Sequence, residues 1–555
     1  MKHQKLLFVA IASIAATLTA IPAAQSNPPN KRYLVEFVDG KTNNGKAALK
    51  SVGGVIKLDL GKHNAVAAEI ADAKLSSLKS NPNIKSVELD EVRYPISMVR
   101  SLPSGTDREV KADGSSSSPD EIVPYGVSMV QAEGFSGNLA SGIKVCVIDS
   151  GYDIVHEDKP KSPVVDGTDD TDGAGPWDQD GSSHGTHVSG TINALDNDIG
   201  VIGVFPSVPM HIVRVFGNDG KWAYSSELIN AVDDCVSHGA KVINMSLGGS
   251  RPSVLENAVF LQALKGGVLS IAAAGNGGDG SVCDIFEDPS RPERQACKMH
   301  YPSGYDSVVS VAAVDAHKAI ADFSQINSKV EIAAPGVSVL STVPTGSMLD
   351  VTLDYGTSTT DVVPMDNFPI PTVPKAGLLQ DCGLGATAAD CGNATGKICL
   401  IERGGVTFAT KAVSCETAGG IGAVIFQRAG TDVSGPVLGT LGDTLVSIPV
   451  VGTDRDTGLA LRADYLGTTA TLSFLVSDYN YDYFSGTSMA TPHVAGVAAL
   501  IWSKHPVCGP TDIRNAMNAT AVDLGTKGRD KYYGNGLVQA QDADAYLTVH
   551  GCTGN

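Results

Sequence analysis

Residues 484–496 read FSGTSMATPHVAG, and the position of one serine among them organises the reading of the whole chain. Pro492 lacks a backbone N–H and is tolerated in the first turn of a helix, so the stretch reads as a helix that has just begun. Beyond it, Val494, Val497, Ala498, Leu500, Ile501 and Trp502 form a run that is apolar almost all round, as in a buried helix. Ser488 therefore stands at or just before a helix N-terminus, where unpaired N–H groups and the helix dipole favour negative charge. That suits a nucleophile whose product is an oxyanion, although most serines at helix starts are caps.

The chain has 555 residues, 42% hydrophobic and 18% charged, which allows several domains and a sizeable core. A formal net charge of −19 argues against nucleic acid or an anionic membrane as a main partner. The first residues, MKHQKLLFVAIASIAATLTAIPAAQS, combine a basic start, an apolar stretch and a small-residue end. They read as a secretory signal peptide over 1–26, which predicts an extracellular protein with no membrane attachment after cleavage. Export makes the ten cysteines candidates for disulfides. Proximity suggests Cys283–Cys297, Cys382–Cys391, Cys399–Cys415 and Cys508–Cys552, leaving Cys146 and Cys235 either paired or as two buried thiols.

Residues 27–99 alternate short strands and helices, a compact α+β unit. Residues 100–120 are polar and Gly/Ser-rich, a linker open to proteolysis. From 121 to 342 apolar strands such as IKVCVIDSG, MHIVRVF, KVINMSLGG and GGVLSIAAAGN alternate with amphipathic helices. The fold class this predicts is α/β, a mostly parallel sheet flanked by helices. Residues 343–482 break that rhythm with a Pro-rich lead and four cysteines, a β-rich inserted module, and the α/β domain resumes over 483–555. In parallel sheets chemistry gathers at the carboxyl ends of the strands, which singles out Asp149, the Ser246–Gly249 segment and Asn276.

VIDSGYD around Asp149, HGTHVSGT from His184 and GTSMATPHVAG around Ser488 closely resemble the three active-site segments of the subtilisin-like serine proteases. The Asp–His–Ser chain order is that family's known signature. A nucleophile-elbow hydrolase is disfavoured because the Ser488 segment lacks the second glycine. A sedolisin-like base would be a glutamate, whereas this chain offers His184. The resemblance implies Ser488 as nucleophile, His184 as general base and then acid, and Asp149 as the carboxylate that orients it. His187 and His493 are expected to be structural. Asn276 and the Ser488 N–H would bind the oxyanion.

The same resemblance makes Met245–Gly249 the strand to which an extended peptide adds, with Ser246, Leu247 and Gly248 on one wall of the specificity pocket and Ala273, Ala274 and Gly275 on the other. Small uncharged walls imply broad, apolar specificity. ALDNDIGVIGV, residues 194–204, resembles a calcium loop. It assigns to Ca2+ the Asn197 side chain, the carbonyls of Leu195, Ile199 and Val201, Asp158, and Glu121 where a neutral amide is usual. The N-terminal unit resembles an inhibitor-type propeptide, and the insertion a protease-associated domain. Together these imply a secreted, monomeric, calcium-bound endopeptidase acting on proteins or peptides and made as a self-inhibited precursor, self-cut near Ser115–Glu121. An esterase with the same triad and an inactive peptide-binding relative are the rival readings.

Overall fold

The computed structural model describes residues 31–96, 99–100, 121–135, 142–169, 173–218, 223–278, 299–365, 370–428, 436–437, 441, 444–477 and 479–552. The signal peptide, most of the linker and the Cys283–Cys297 pair lie outside them. Among the described residues no helix is long and apolar enough to cross a membrane.

Seven parallel strands build the central sheet, in the spatial order Ile332–Pro335, Val308–Val314, Leu269–Ala273, Val242–Met245, Val145–Asp149, Met210–Arg214 and Val165–Thr168. Except in the half-buried edge strand Val165–Thr168, their largely apolar sequences follow from burial on both faces. Val145 and Val147 pack with the helices His184–Asn193 and Thr487–Lys504 on one side. Cys146 and Ile148 pack with Ser225–Ser237 and Val254–Lys265 on the other, as the two-residue period of a strand requires. A disulfide joins Cys146 to Cys235, tying that second layer of helices to the sheet. From Val145–Asp149 the chain first fills the sheet on one side and then on the other, so a crevice opens at the carboxyl end of this strand.

One expectation about the Ser488 helix needs correcting. The helix starts at Thr487, which puts Pro492 in the second turn rather than the first. The carbonyl that the missing proline N–H would have engaged is that of Ser488, and the Ser246 hydroxyl donates to it instead at 2.8 Å. The proline is tolerated because a side chain from another strand closes the gap it leaves.

The N-terminal unit is a four-stranded antiparallel sheet, ordered Val55–Leu60, Ala65–Ile70, Lys31–Phe37, Ile84–Leu89. It sits on the N-termini of the two helices of the second layer. Glu88 accepts from the Ser253 hydroxyl at 2.9 Å and from the N–H groups of Val254 at 2.9 Å and Leu255 at 3.0 Å. Asp90 accepts from the Ser226 N–H at 2.9 Å and the Ser226 hydroxyl at 2.7 Å, and pairs with Arg32 at 2.9 Å. Orphan N–H groups and the positive ends of two helix dipoles are thus met by carboxylates from outside the helices.

The inserted segment has its own eight-stranded mixed sheet, running from Leu349–Tyr355 to Thr469–Val476 in sequence. Cys382–Cys391 and Cys399–Cys415 are bonded within it, and Cys508–Cys552 fastens the C-terminal helix.

Candidate active site

Asp149 ends its strand at the crevice and is fully buried. Its Oδ1 accepts the Ser150 N–H at 2.8 Å and lies 2.7 Å from His184 Nδ1. His184 is the first residue of its helix. That helix start is held by Asp180, which accepts from the N–H groups of Ser182 at 3.0 Å, Ser183 at 3.1 Å and Thr186 at 2.8 Å. Asp180 therefore aims the imidazole, a role the sequence reading missed. Burial opposes a charge on His184, but the neighbouring Asp149 carboxylate and its hydrogen bond outweigh it and hold the imidazolium above its usual range. With Nδ1 on Asp149, the other ring nitrogen, Nε2, faces the interior with no hydrogen-bond partner.

Ser488 is buried in the first turn of its helix, where Met489 is the first residue to donate back, to Gly486 at 3.0 Å. Asn276 follows strand Leu269–Ala273, and its Oδ1 accepts from the Thr487 N–H at 3.0 Å and the Thr487 hydroxyl at 2.9 Å. The acceptor end of the amide is thereby committed, which turns its donor end away from Thr487. The Gly275 N–H donates to the same Thr487 hydroxyl at 3.2 Å, locking this corner to the start of the Ser488 helix.

The crevice is occupied by the chain itself. Strand Val92–Pro95 lies antiparallel to Leu247–Gly248 on one side and to Ala223–Tyr224 on the other. The next residue, Ile96, donates its N–H to the Ser246 carbonyl at 3.2 Å. Its carbonyl accepts from the Ser488 hydroxyl at 3.1 Å, and that hydroxyl also lies 3.3 Å from the Ser246 carbonyl. Beyond Ile96, Val99–Arg100 pairs antiparallel with Ser485 and Phe484. A peptide thus runs through the crevice with one carbonyl presented to Ser488. The contact not made here is between the Ser488 hydroxyl and His184 Nε2, since Ile96 and Ser246 engage the hydroxyl.

Of the residues expected to form the pocket, Gly248 lies against the Ile96 side chain, and His300 links it to Gly275. A Cβ placed on Gly248 would come 3.5 Å from Ile96 Cδ1 and 3.2 Å from His300 Nδ1, while one on Gly275 would come 2.9 Å from the same His300 atom. His300 therefore stands between the two expected walls, 4% exposed, with Nδ1 unpartnered. Burial, with a smaller push from the Arg93 guanidinium, lowers it to about 4, so it is neutral in ordinary buffers. The sequence reading did not single out His300.

The two other histidines are structural. His187 bonds to the carbonyls of Val339 at 3.0 Å and Asp482 at 3.1 Å and stacks on Phe484; burial lowers it to about 3. His493 lies 2.8 Å from the Met489 carbonyl within its own helix.

The residues proposed to hold calcium converge as well. Glu121 accepts the Asn197 N–H at 2.7 Å, Asp158 Oδ2 accepts the Val201 N–H at 2.8 Å, and Asn197 Oδ1 accepts the Ile199 N–H at 3.2 Å. Asp158 Oδ1 is buried without a partner. Gly200 at φ +68° lets the loop close here, since a Cβ would fall 2.4 Å from Asp158 Oδ2. An orphaned carboxylate oxygen beside a second carboxylate and a loop rich in carbonyls fits a hard cation.

Comparison with known proteins agrees with this architecture. Residues 140–361 and 446–536 match the Subtilase family, and 367–461 match the PA domain. The chain is 27% identical over 540 residues to Subtilisin NAT of Bacillus subtilis subsp. natto, covering 96% of this chain and 95% of that one. It is 38% identical over 226 residues to Subtilisin BL of Lederbergia lenta, covering 40% of this chain and 76% of that one. Among solved structures, the psychrophilic subtilisin-like protease Apa1 of the Antarctic Pseudoalteromonas sp. AS-11 superimposes with a TM-score of 0.52 at 40% identity, over 78% of this chain and all of that one. Fervidolysin of Fervidobacterium pennivorans shares the fold at 23% identity and a TM-score of 0.55, over 94% of this chain and 62% of that one. The chain belongs to the subtilase family and is a subtilisin-like serine endopeptidase with an inserted PA domain.

Ser246→Ala would leave the Ser488 carbonyl buried with neither a proline N–H nor a hydroxyl to meet it. It is expected to cost about 1–3 kcal/mol of stability, read as a lowered urea midpoint at unchanged slope.

Proposed function

We propose that this chain is the self-inhibited precursor of a secreted, calcium-stabilised endopeptidase whose first substrate is its own Ile96–Ser97 bond. The observation that carries the reading is the Ile96 carbonyl on the Ser488 hydroxyl at 3.1 Å, at the end of a strand hydrogen-bonded on both sides. Strand addition of this kind positions a peptide through its backbone and leaves side chains to select it.

In this reading Ser488 Oγ turns from the Ile96 carbonyl oxygen towards His184 and attacks the carbonyl carbon, passing its proton to His184 Nε2. Asp149 holds the ring by Nδ1 and stabilises the imidazolium. The Asn276 amide and the Ser488 N–H receive the oxyanion at the helix N-terminus. As the C–N bond breaks, His184 returns the proton to the Ser97 nitrogen, and water then releases the acyl group from Ser488 by the same steps.

The division into signal peptide 1–26, propeptide 27–99, linker 100–120, catalytic parts 121–342 and 483–555, and insert 343–482 is part of the proposal, with residues 97–99 passing to the linker side of the cut. The cut moves from the Ser115–Glu121 region suggested by the linker to Ile96–Ser97, because Ile96 is the residue that faces Ser488. Specificity is proposed to favour an apolar residue before the cut, with Ile96 as the example and His300 limiting its size. Glu121, Asp158, Asn197 and the carbonyls of Leu195, Ile199 and Val201 are proposed to hold Ca2+, which would fasten the 194–204 loop to residue 121. The disulfides and the leader-like N-terminus support secretion. The mature enzyme is proposed to be a monomer, with its own propeptide as intramolecular inhibitor.

Purified Ser488→Ala precursor is expected to remain uncut, while wild type yields a new N-terminus at Ser97 and digests casein. Normal processing of the pure variant would overturn the assignment.

The pH profile follows from His184, which works as a neutral base, so activity falls as pH drops through its raised pKa. In Asp149→Asn the raising influence is gone. The acid limb should move to lower pH while the plateau falls by about 10⁴-fold.

Excess chelator should lower the melting temperature by removing a ligand bound only to the folded state, a contribution of about 2.7 kcal/mol at a hundredfold excess over Kd. An unchanged melting curve would remove calcium from the proposal.

A further inference from the structure

Arg93 lies three residues before Ile96 on the strand that fills the crevice. It is 1% exposed, and its guanidinium forks onto the Glu256 carboxylate, with Nε to Oε1 at 3.2 Å and Nη2 to Oε2 at 2.6 Å. Glu256 is fully buried, in the first turn of helix Val254–Lys265, among Leu255, Val259 and Phe260 of the same buried layer. Its Oε2 also accepts from the Ser225 hydroxyl, and its own N–H is capped by Ser253 at 3.1 Å. The carboxylate thus belongs to the enzyme's wall, whereas its cationic partner belongs to the segment that occupies the crevice.

We infer that Glu256 is a specificity-determining residue that selects arginine at the fourth position before the cut bond. The inference rests on the reading of Val92–Ile96 as substrate-like, and extends it from backbone to side chain. A carboxylate in a dry wall is costly to leave without a countercharge, and a fork-shaped donor meets both of its oxygens at once. When the N-terminal unit departs, Arg93 departs with it, and Glu256 is left lining the crevice three residues upstream of the reacting carbonyl. A peptide with arginine there restores the pair. Leucine or alanine buries the carboxylate uncompensated, and glutamate sets like charges together. Lysine, a point charge on a flexible stem, satisfies one oxygen less completely. The enzyme should therefore read two positions, an apolar side chain next to the cut and arginine three residues before it, as its own sequence RYPI at 93–96 does.

The test is a set of fluorogenic tetrapeptides X-Tyr-Pro-Ile cleaved by the mature enzyme, with X as Arg, Lys, Leu, Ala or Glu. Arginine should give a kcat/KM about tenfold or more above leucine, mostly through KM, with lysine between them and glutamate lowest. A paired variant, Arg93→Leu with Glu256→Leu, keeps the buried contact filled in the precursor and should prefer leucine at X. Equal rates for all X, or an arginine preference that survives in the paired variant, would overturn the inference while leaving proteolysis intact. Failure to cleave any X, with casein still digested, would overturn the reading of 93–96 as substrate-like. Failure on casein too would overturn the proteolytic reading.

Discussion

Ser246 is the joint on which the crevice depends. Its hydroxyl meets the Ser488 carbonyl that Pro492 leaves open, and its own carbonyl receives the Ile96 N–H while lying beside the Ser488 hydroxyl. One residue thus fixes the nucleophile's helix to the strand on which a peptide is laid. The proline that looks like a defect in the Ser488 helix is what frees a carbonyl for this link. Because both partners in the reaction are indexed to the same backbone, a small shift of either helix or strand moves nucleophile and substrate together. Effective alignment of reacting atoms is where much of a hydrolase's rate comes from.

The parallel sheet was legible from local signals, which also singled out Asp149, Asn276 and Ser488, while their grouping with His184 came from the resemblance of three segments to a known family. A strand must read as apolar on both faces, and a small-residue turn must follow it where a side chain has to reach the crevice. The flanks of Ser488 were legible too, although the position of Pro492 in its helix was not, since the compensating hydroxyl of Ser246 lies 242 residues away in sequence. The role of Asp180 was not legible, since its stretch reads only as an acidic loop, and His300 carried no signal of its own. Asp180 acts on N–H groups two to six residues ahead of it, whereas His300 acts through Gly248 and Gly275, which are distant in sequence. Glu256 did carry a faint signal, a carboxylate between apolar residues in PSVLENAVF, but its meaning came only with Arg93 beside it.

The fold also accounts for how one segment can be both a strand of the folded precursor and a removable occupant. One face of the N-terminal sheet has its own cluster, built on Val35, Phe37, Leu49 and Val66, while Leu34, Leu60, Ala65 and Ala67 on the other face join the apolar layer of the second pair of helices. Besides that apolar face it is held at helix ends by Glu88 and Asp90 and in the crevice by backbone pairing and the Arg93 fork. The contacts of Glu88, Asp90 and the paired backbone are polar ones that water can replace at moderate cost once the covalent connection is gone.

Glu256 does not share that indifference. Helix ends vacated by Glu88 and Asp90 become solvated, since N–H groups at a surface donate to water in place of a carboxylate. The Glu256 carboxylate, on a helix whose Leu255, Val259 and Phe260 are buried, keeps only neutral hydroxyl neighbours among the described residues, those of Ser225 and Tyr305, and no countercharge of the enzyme's own. Of the contacts that hold the N-terminal unit, the fork is therefore the one whose loss leaves the larger deficit on the enzyme side. A site built this way keeps a preference after maturation because its electrostatic debt outlasts the inhibitor, whereas a wall of apolar residues would retain only a size limit.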